Sequence, residues 1–144
     1  MSTPNEALAA RYFEELGNGR KLETADEIFS AGHIHHDPVN SWVGTGPDPM
    51  KQLVSVYHTA FPDAHWNIES MYSAGDTVTA RWTGTGTHRN PLAGIAPTGK
   101  SVRVEGIMIF RIADGKIVET WDVWDTLGML QQLGVVPPLA KAAG

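Results

Sequence analysis

A chain of 144 residues has room for one domain with a substantial core and none for a second. Its 11 basic and 16 acidic side chains give a formal charge of −5, which argues against a nucleic-acid partner, and zero cysteines exclude disulfides and thiolate chemistry. No apolar run nears the roughly 18 residues of a membrane span and no secretory signal pattern is visible, so a cytoplasmic protein without a membrane partner is expected.

Thr3-Pro4 opens a predicted helix, with Glu6 placed for a capping box and Leu8, Tyr12, Phe13 and Leu16 at helical spacing. Gly17-Asn18-Gly19 stops it. A shorter helix is predicted over about 22–29. Pro47-Asp48-Pro49 opens a third, with Leu53, Val54, Tyr57 and Phe61 on one face and Pro62-Asp63 at its end. From His65 the pattern changes to strands. Residues 66–73 alternate, Gly75-Asp76 makes a hairpin turn, and residues 77–88 are rich in Thr, Val and Trp. Gly84 and Gly86 within that run suggest a bend or bulge. A loop with prolines and glycines covers 89–100, and residues 101–112 form the clearest strand. The Ala113-Asp114-Gly115-Lys116 turn leads into the last strand, and an amphipathic helix with Leu127, Leu130 and Leu133 follows. The sum is an α+β fold: N-terminal helices packed on a strongly bent antiparallel sheet of about four strands, enclosing a conical pocket, with a short C-terminal helix.

Asp122 sits between Trp121 and Trp124 on the last strand. A carboxylate among indoles is poorly solvated, so its pKa should rise toward the range of a general acid or base. The alternative is that it caps the terminal helix or pairs with an arginine. The run His33-Ile34-His35-His36-Asp37-Pro38 invites a metal reading, but so local a set cannot surround one ion from an extended segment. No metal is expected. If Ile34 points into the core, His36 points in with it, as a substrate-polarising donor or proton shuttle or else as a satisfied structural histidine, while His33 and His35 are expected to be solvated. His88 ends a strand where a cavity rim is expected and is a second candidate catalytic histidine. Arg81 could anchor a carboxylate or ester, or pair with Glu69 or Glu105. Trp42, Tyr57, Met108, Phe110 and Trp124 are candidate pocket walls, each with a plain core role as the alternative. Five tryptophans in one small domain favour a small hydrophobic or aromatic substrate.

The order of elements resembles the SnoaL-like polyketide cyclases of the nuclear-transport-factor-2-like superfamily. So do Gly86-Thr87-His88, Pro97-Thr98-Gly99-Lys100, and the stretch FRIADGKIVETWDVWD from Phe110 to Asp125. The resemblance spans about 5–136 and implies a cone-shaped fold and a cofactor-free enzyme that closes a ring by intramolecular aldol condensation. In that family the acid-base residue is the aspartate on the last strand, here Asp122. A histidine at a pocket-mouth position corresponds to His36. Anthracycline-type cyclases carry a Gln and a His facing the aspartate, where this chain has Gly106 and Met108. Polar contacts would then come from His36, His88 or Arg81. Three other uses of the same scaffold stay open. An epoxide-hydrolase-like triad is one, although Thr83 stands where an acid is needed. A dehydratase or isomerase proton shuttle is another. The third is a non-catalytic ligand-binding module. A homodimer is expected through the outer sheet face at Glu105, Ile107 and Ile109.

Overall fold

The computed structural model describes residues 3–140. Helix α1 (Pro4–Arg11) begins where expected, with the Thr3 hydroxyl accepting the Glu6 N–H at 3.1 Å. It runs on as a π-helical segment, Tyr12–Asn18. The wider winding turns Tyr12 and Phe13 onto the sheet, where both rings meet Phe110 edge-on at 6.0 Å. Helix α2 (Thr24–Ile28) leads into β1 (Phe29–His36), and α3 (Pro47–Ala60) follows. The strands β2 (His65–Ala74), β3 (Thr77–Thr87), β4 (Ser101–Ala113) and β5 (Lys116–Trp124) then form a meander, and α4 (Thr126–Gln132) closes the described chain.

The sheet order is β1-β5-β4-β3-β2. It corrects the expectation of an all-antiparallel sheet of about four strands, because the histidine-rich segment adds a fifth, parallel to β5. That segment lacks the β-branched pattern of a strand. It pairs because β5 would otherwise be an edge. The predicted bulge at Gly84 and Gly86 also lies elsewhere, at Glu69 on β2 and at Val118 on β5, opposite Arg111 and Ile112. The glycines serve close packing instead: a Cβ on Gly86 would stand 2.8 Å from the Phe61 Cβ.

Two apolar clusters fill the cone. The larger packs Phe13, Leu16, Ile28, Met50 and Leu53 from the helices on Val78, Met108 and Phe110 of the sheet. The smaller gathers Phe61, Leu92, Val102, Met129 and Leu133 at the other end. Gln132 holds α4 to the sheet, its amide bonding both the N–H and C=O of Arg103 at 2.7 and 2.9 Å. Tyr57, Val104 and Trp124 touch both clusters, and a cavity opens between the two.

Candidate active site

The cavity opens to solvent, and its lining includes Tyr12, Asp37, Asn40, Tyr57, Trp82, Asp122 and Trp124. Most of the wall is apolar, so the few polar groups stand out. Such pockets bind mainly by burial and orient their ligand through those groups.

Asp122 reaches the cavity because residues 120, 122 and 124 of β5 face the helices while 119, 121 and 123 face out. It is 8% exposed. The Trp82 indole N–H donates to its Oδ1 at 3.2 Å. Gly106 makes that contact possible. Trp82, Gly106 and Trp124 lie side by side across three strands, and the Trp82 ring fills the space a Cβ on Gly106 would take. The glycine thus admits the indole N–H as a donor to the carboxyl. Capping of the terminal helix falls to Asp125, whose Oδ1 accepts the Gly128 N–H at 2.9 Å.

Asp37 supplies a second carboxylate. Its Oδ1 accepts the backbone N–H groups of Val39 and Asn40 at 3.0 and 3.1 Å, and its Oδ2 accepts the Asn40 side-chain amide at 3.1 Å. The same amide donates to the Tyr57 hydroxyl at 3.0 Å, which leaves the phenolic proton free for a ligand.

These environments drive the two carboxyls apart. Burial pushes Asp122 up to about 7, the Asp37 charge adds to the push, and the Trp82 N–H offsets part of it. Burial also opposes the charge on Asp37, but contacts from His35, Asn40 and Val39 outweigh it and hold the group below its ordinary value. At neutral pH one carboxyl is a fixed anion and the other can accept or release a proton. Burial raises Tyr57 to about 12 and Tyr12 well above its ordinary value, so both remain neutral phenols. Replacing Asp37 with Asn removes the charge that faces Asp122. The midpoint of Asp122, read by ¹³C NMR of labelled carboxyls, should then fall, and a rate that depends on its carboxylate form should rise at lower pH.

Among the residues singled out in the sequence, Asp122, Tyr57 and Trp124 come together in this cavity. The others stand elsewhere. His36 points outward: its Nε2 is 2.7 Å from Glu119, and its ring stacks on Trp121 at 5.2 Å. The facing of β1 is therefore the reverse of that expected, with Ile34 exposed and His33 and His35 buried. The inversion is tolerable because the Thr120 hydroxyl bonds both imidazoles, at 2.9 and 2.7 Å. His88 is buried beside Phe61, outside the cavity lining, with Nδ1 held by Thr98. Arg81 lies on the outer sheet face with no ion pair among the described residues. Trp42 is 50% exposed on a loop, while Met108 and Phe110 are sealed in the larger core.

Sequence reasoning missed Trp82, Asp37, Asn40 and Tyr12. A signal existed for Asp37: an Asp followed by Pro and, three residues on, an Asn is the pattern of a carboxylate that closes its own turn.

A curved sheet with helices laid across it, closed on a buried carboxylate poised near neutrality, defines a nuclear-transport-factor-2-like pocket enzyme. The chain belongs to the SnoaL-like polyketide cyclase family, whose pattern matches residues 7–133. It is 31% identical over 139 residues to the aklanonic acid methyl ester cyclase DnrD of Streptomyces peucetius, covering 93% of this chain and 92% of that one. Over 118 residues it is 29% identical to the nogalonic acid methyl ester cyclase of Streptomyces nogalater, covering 81% and 88%. The crystal structure of TsrD from Streptomyces laurentii matches with a TM-score of 0.83 at 26% identity, over 94% of this chain and 99% of that one.

Proposed function

We propose that this protein closes a ring on a polyketide-derived keto ester by intramolecular aldol condensation, without a cofactor, with Asp122 as base and then acid. The observation that supports the reading best is a carboxyl poised near neutral pH inside an apolar cavity. The methyl esters named for two relatives point to the substrate class.

Carbonyls on both sides of a carbon make its C–H acidic enough for one positioned carboxylate. Asp122 takes that proton, and the electron pair of the C–H bond delocalises into the adjacent carbonyls as an enolate. The neutral phenol of Tyr57 can donate to that oxyanion. The enolate carbon then attacks a ketone in the same molecule and forms the C–C bond. The new alkoxide recovers the proton held on Asp122, so none is gained or lost overall. General acid-base transfer contributes about 10²–10⁴-fold, and folding a flexible chain into its ring-closing shape can supply as much or more. The aromatic walls do that second task, and burial excludes the water that would quench the enolate.

The test is incubation with methyl β-keto esters that carry an internal ketone, followed by ¹³C NMR. Loss of the ketone signal and appearance of a tertiary carbinol carbon, in the presence of a chelator, is the expected result. An unchanged substrate across a panel that binds would refute the reading.

The same reading includes a homodimer through the outer sheet face. Ile107 and Val123 pair across β4 and β5 and are 50% and 63% exposed, with Ile109 and Trp121 in the next row. Arg81 and Glu105 bring opposite charges to this face, which a two-fold axis would set against each other. Val123→Asp should halve the mass measured by sedimentation velocity. An unchanged mass would place the contact elsewhere.

A further inference from the structure

Behind Asp37 lies a buried polar chain that the ring-closing chemistry does not use. His33 Nε2 and His35 Nδ1 flank the Thr120 hydroxyl at 2.9 and 2.7 Å, and His35 Nε2 stands 3.4 Å from Asp37 Oδ2. The His35 side chain is wholly buried. His33 Nδ1 and His35 Nε2 are both buried without a hydrogen bond among the described residues, and Asp37 Oδ2 is the acceptor that His35 Nε2 faces.

One hydroxyl has one proton and two lone pairs, so it can donate to only one of the two imidazoles. If His35 carries its proton on Nε2, an N–H faces the Asp37 carboxylate and bare Nδ1 accepts from Thr120. Thr120 then accepts from His33 Nε2–H, and His33 Nδ1 is a bare acceptor. The opposite order aims a lone pair at an anion and leaves a buried N–H with nothing to meet; if both imidazoles donate to the hydroxyl, His35 Nε2 again aims a lone pair at the anion and the hydroxyl proton loses its acceptor. An unpaired buried donor and a lone pair against a carboxylate both cost free energy, so the first order holds. Burial keeps His33 down at about 4, hence neutral and able to anchor the chain.

We propose that His35, locked in its Nε2–H form by the Thr120 hydroxyl, is a positioning residue that holds Asp37 as a fixed anion on the pocket wall. The groups facing Asp37 are His35 from β1, Asp122 from β5, Tyr12 from the first helix, Tyr57 from α3, and Asn40 from its own turn. His36 and Glu119 pair with each other on the outer face. His35 lies outside the main cavity's lining, so it acts through Asp37 and not on the substrate. Its consequence for turnover rests on Asp122 being the base, but its effect on Asp37 does not.

The experiment is NMR of the full chain, without substrate, labelled with ¹⁵N in histidine and ¹³C in aspartate carboxyls. In the wild type, His35 and His33 should both be protonated at Nε2 and bare at Nδ1. Thr120→Val frees the His35 tautomer, and the Asp37 titration midpoint should rise by about half to one pH unit. Thr120→Ser, which retains the hydroxyl, should return it to the wild-type value. An Nδ1–H proton on wild-type His35, or an Asp37 midpoint unmoved by Thr120→Val, would overturn the proposal. The wild-type tautomer decides the matter even if Thr120→Val does not fold. Because no substrate is added, failure of the cyclase assay and failure of this relay are separate results.

Discussion

Gly106→Ala should lower the melting temperature by roughly 4–12 °C and remove most of the activity. An ideal Cβ at this position would lie 2.4 Å from the Trp82 ring and 2.7 Å from the Trp124 Cβ. Neither neighbour is the loose end of a flexible chain. Trp82 is buried at 5% exposure in the larger core, and the second contact is to a side-chain root next to the β5 backbone. Overpacking of this kind costs about 1–3 kcal/mol, and in a domain of this size each kcal/mol is worth about 4 °C. The functional loss comes from the forced displacement of Trp82. Its N–H leaves Asp122, so the carboxyl loses its donor and its pKa rises further, while the indole intrudes into the substrate volume. Thermal unfolding by circular dichroism and the indole N–H resonance of Trp82 check the two halves. An unshifted resonance together with a melting point within about 1 °C of wild type would contradict the packing argument.

How far the sequence can be read depends on which forces act locally. The Thr3 cap, the Pro47 helix start, the Gly75 and Gly115 turns and the closing helix all have short-range causes, and each was legible. Asp122 was legible in its burial but not in its cause: Trp121 faces out against His36, and the indole on the carboxyl is that of Trp82, from another strand. The facing of β1 was not legible. Ile34 looks like a core residue, but its position depends on Thr120, far away in the chain, offering one hydroxyl to two imidazoles. The strand's existence is equally non-local, since it forms against the β5 edge. Trp82 escaped notice for a related reason. Its role is set by an absence on the neighbouring strand, the missing side chain of Gly106. Pocket walls and sealed core, represented by Tyr57 and Phe110, share the same residue types and periodicity. Only the gap between the two clusters separates them.

Asp122→Asn should reduce turnover by about 10²–10⁴-fold while ligand affinity stays within about twofold. The amide is isosteric and its oxygen can still accept the Trp82 N–H, so the pocket keeps its shape. Only the capacity to take a proton disappears. A stability gain should accompany the loss. Asp122 has a folded pKa of about 7 against an ordinary 3.8. Between those values the folded state holds a proton that the unfolded chain has released, so wild-type stability falls as pH rises through the window. The variant has no such loss. Its advantage over wild type should grow from pH 4 to pH 8 and reach the order of 2–4 kcal/mol, a stability cost that the wild type carries for function.

The most direct measurement is solvent deuterium exchange at the α-carbon of methyl β-keto esters, followed by proton NMR with wild type and Asp122→Asn at matched saturation. It isolates the first proton transfer and does not require the natural substrate. Exchange should require the protein, rise with pH through a midpoint near 7 and disappear in the variant. Equal exchange by both proteins, or none by the wild type on esters it demonstrably binds, would contradict carbon-acid catalysis at Asp122.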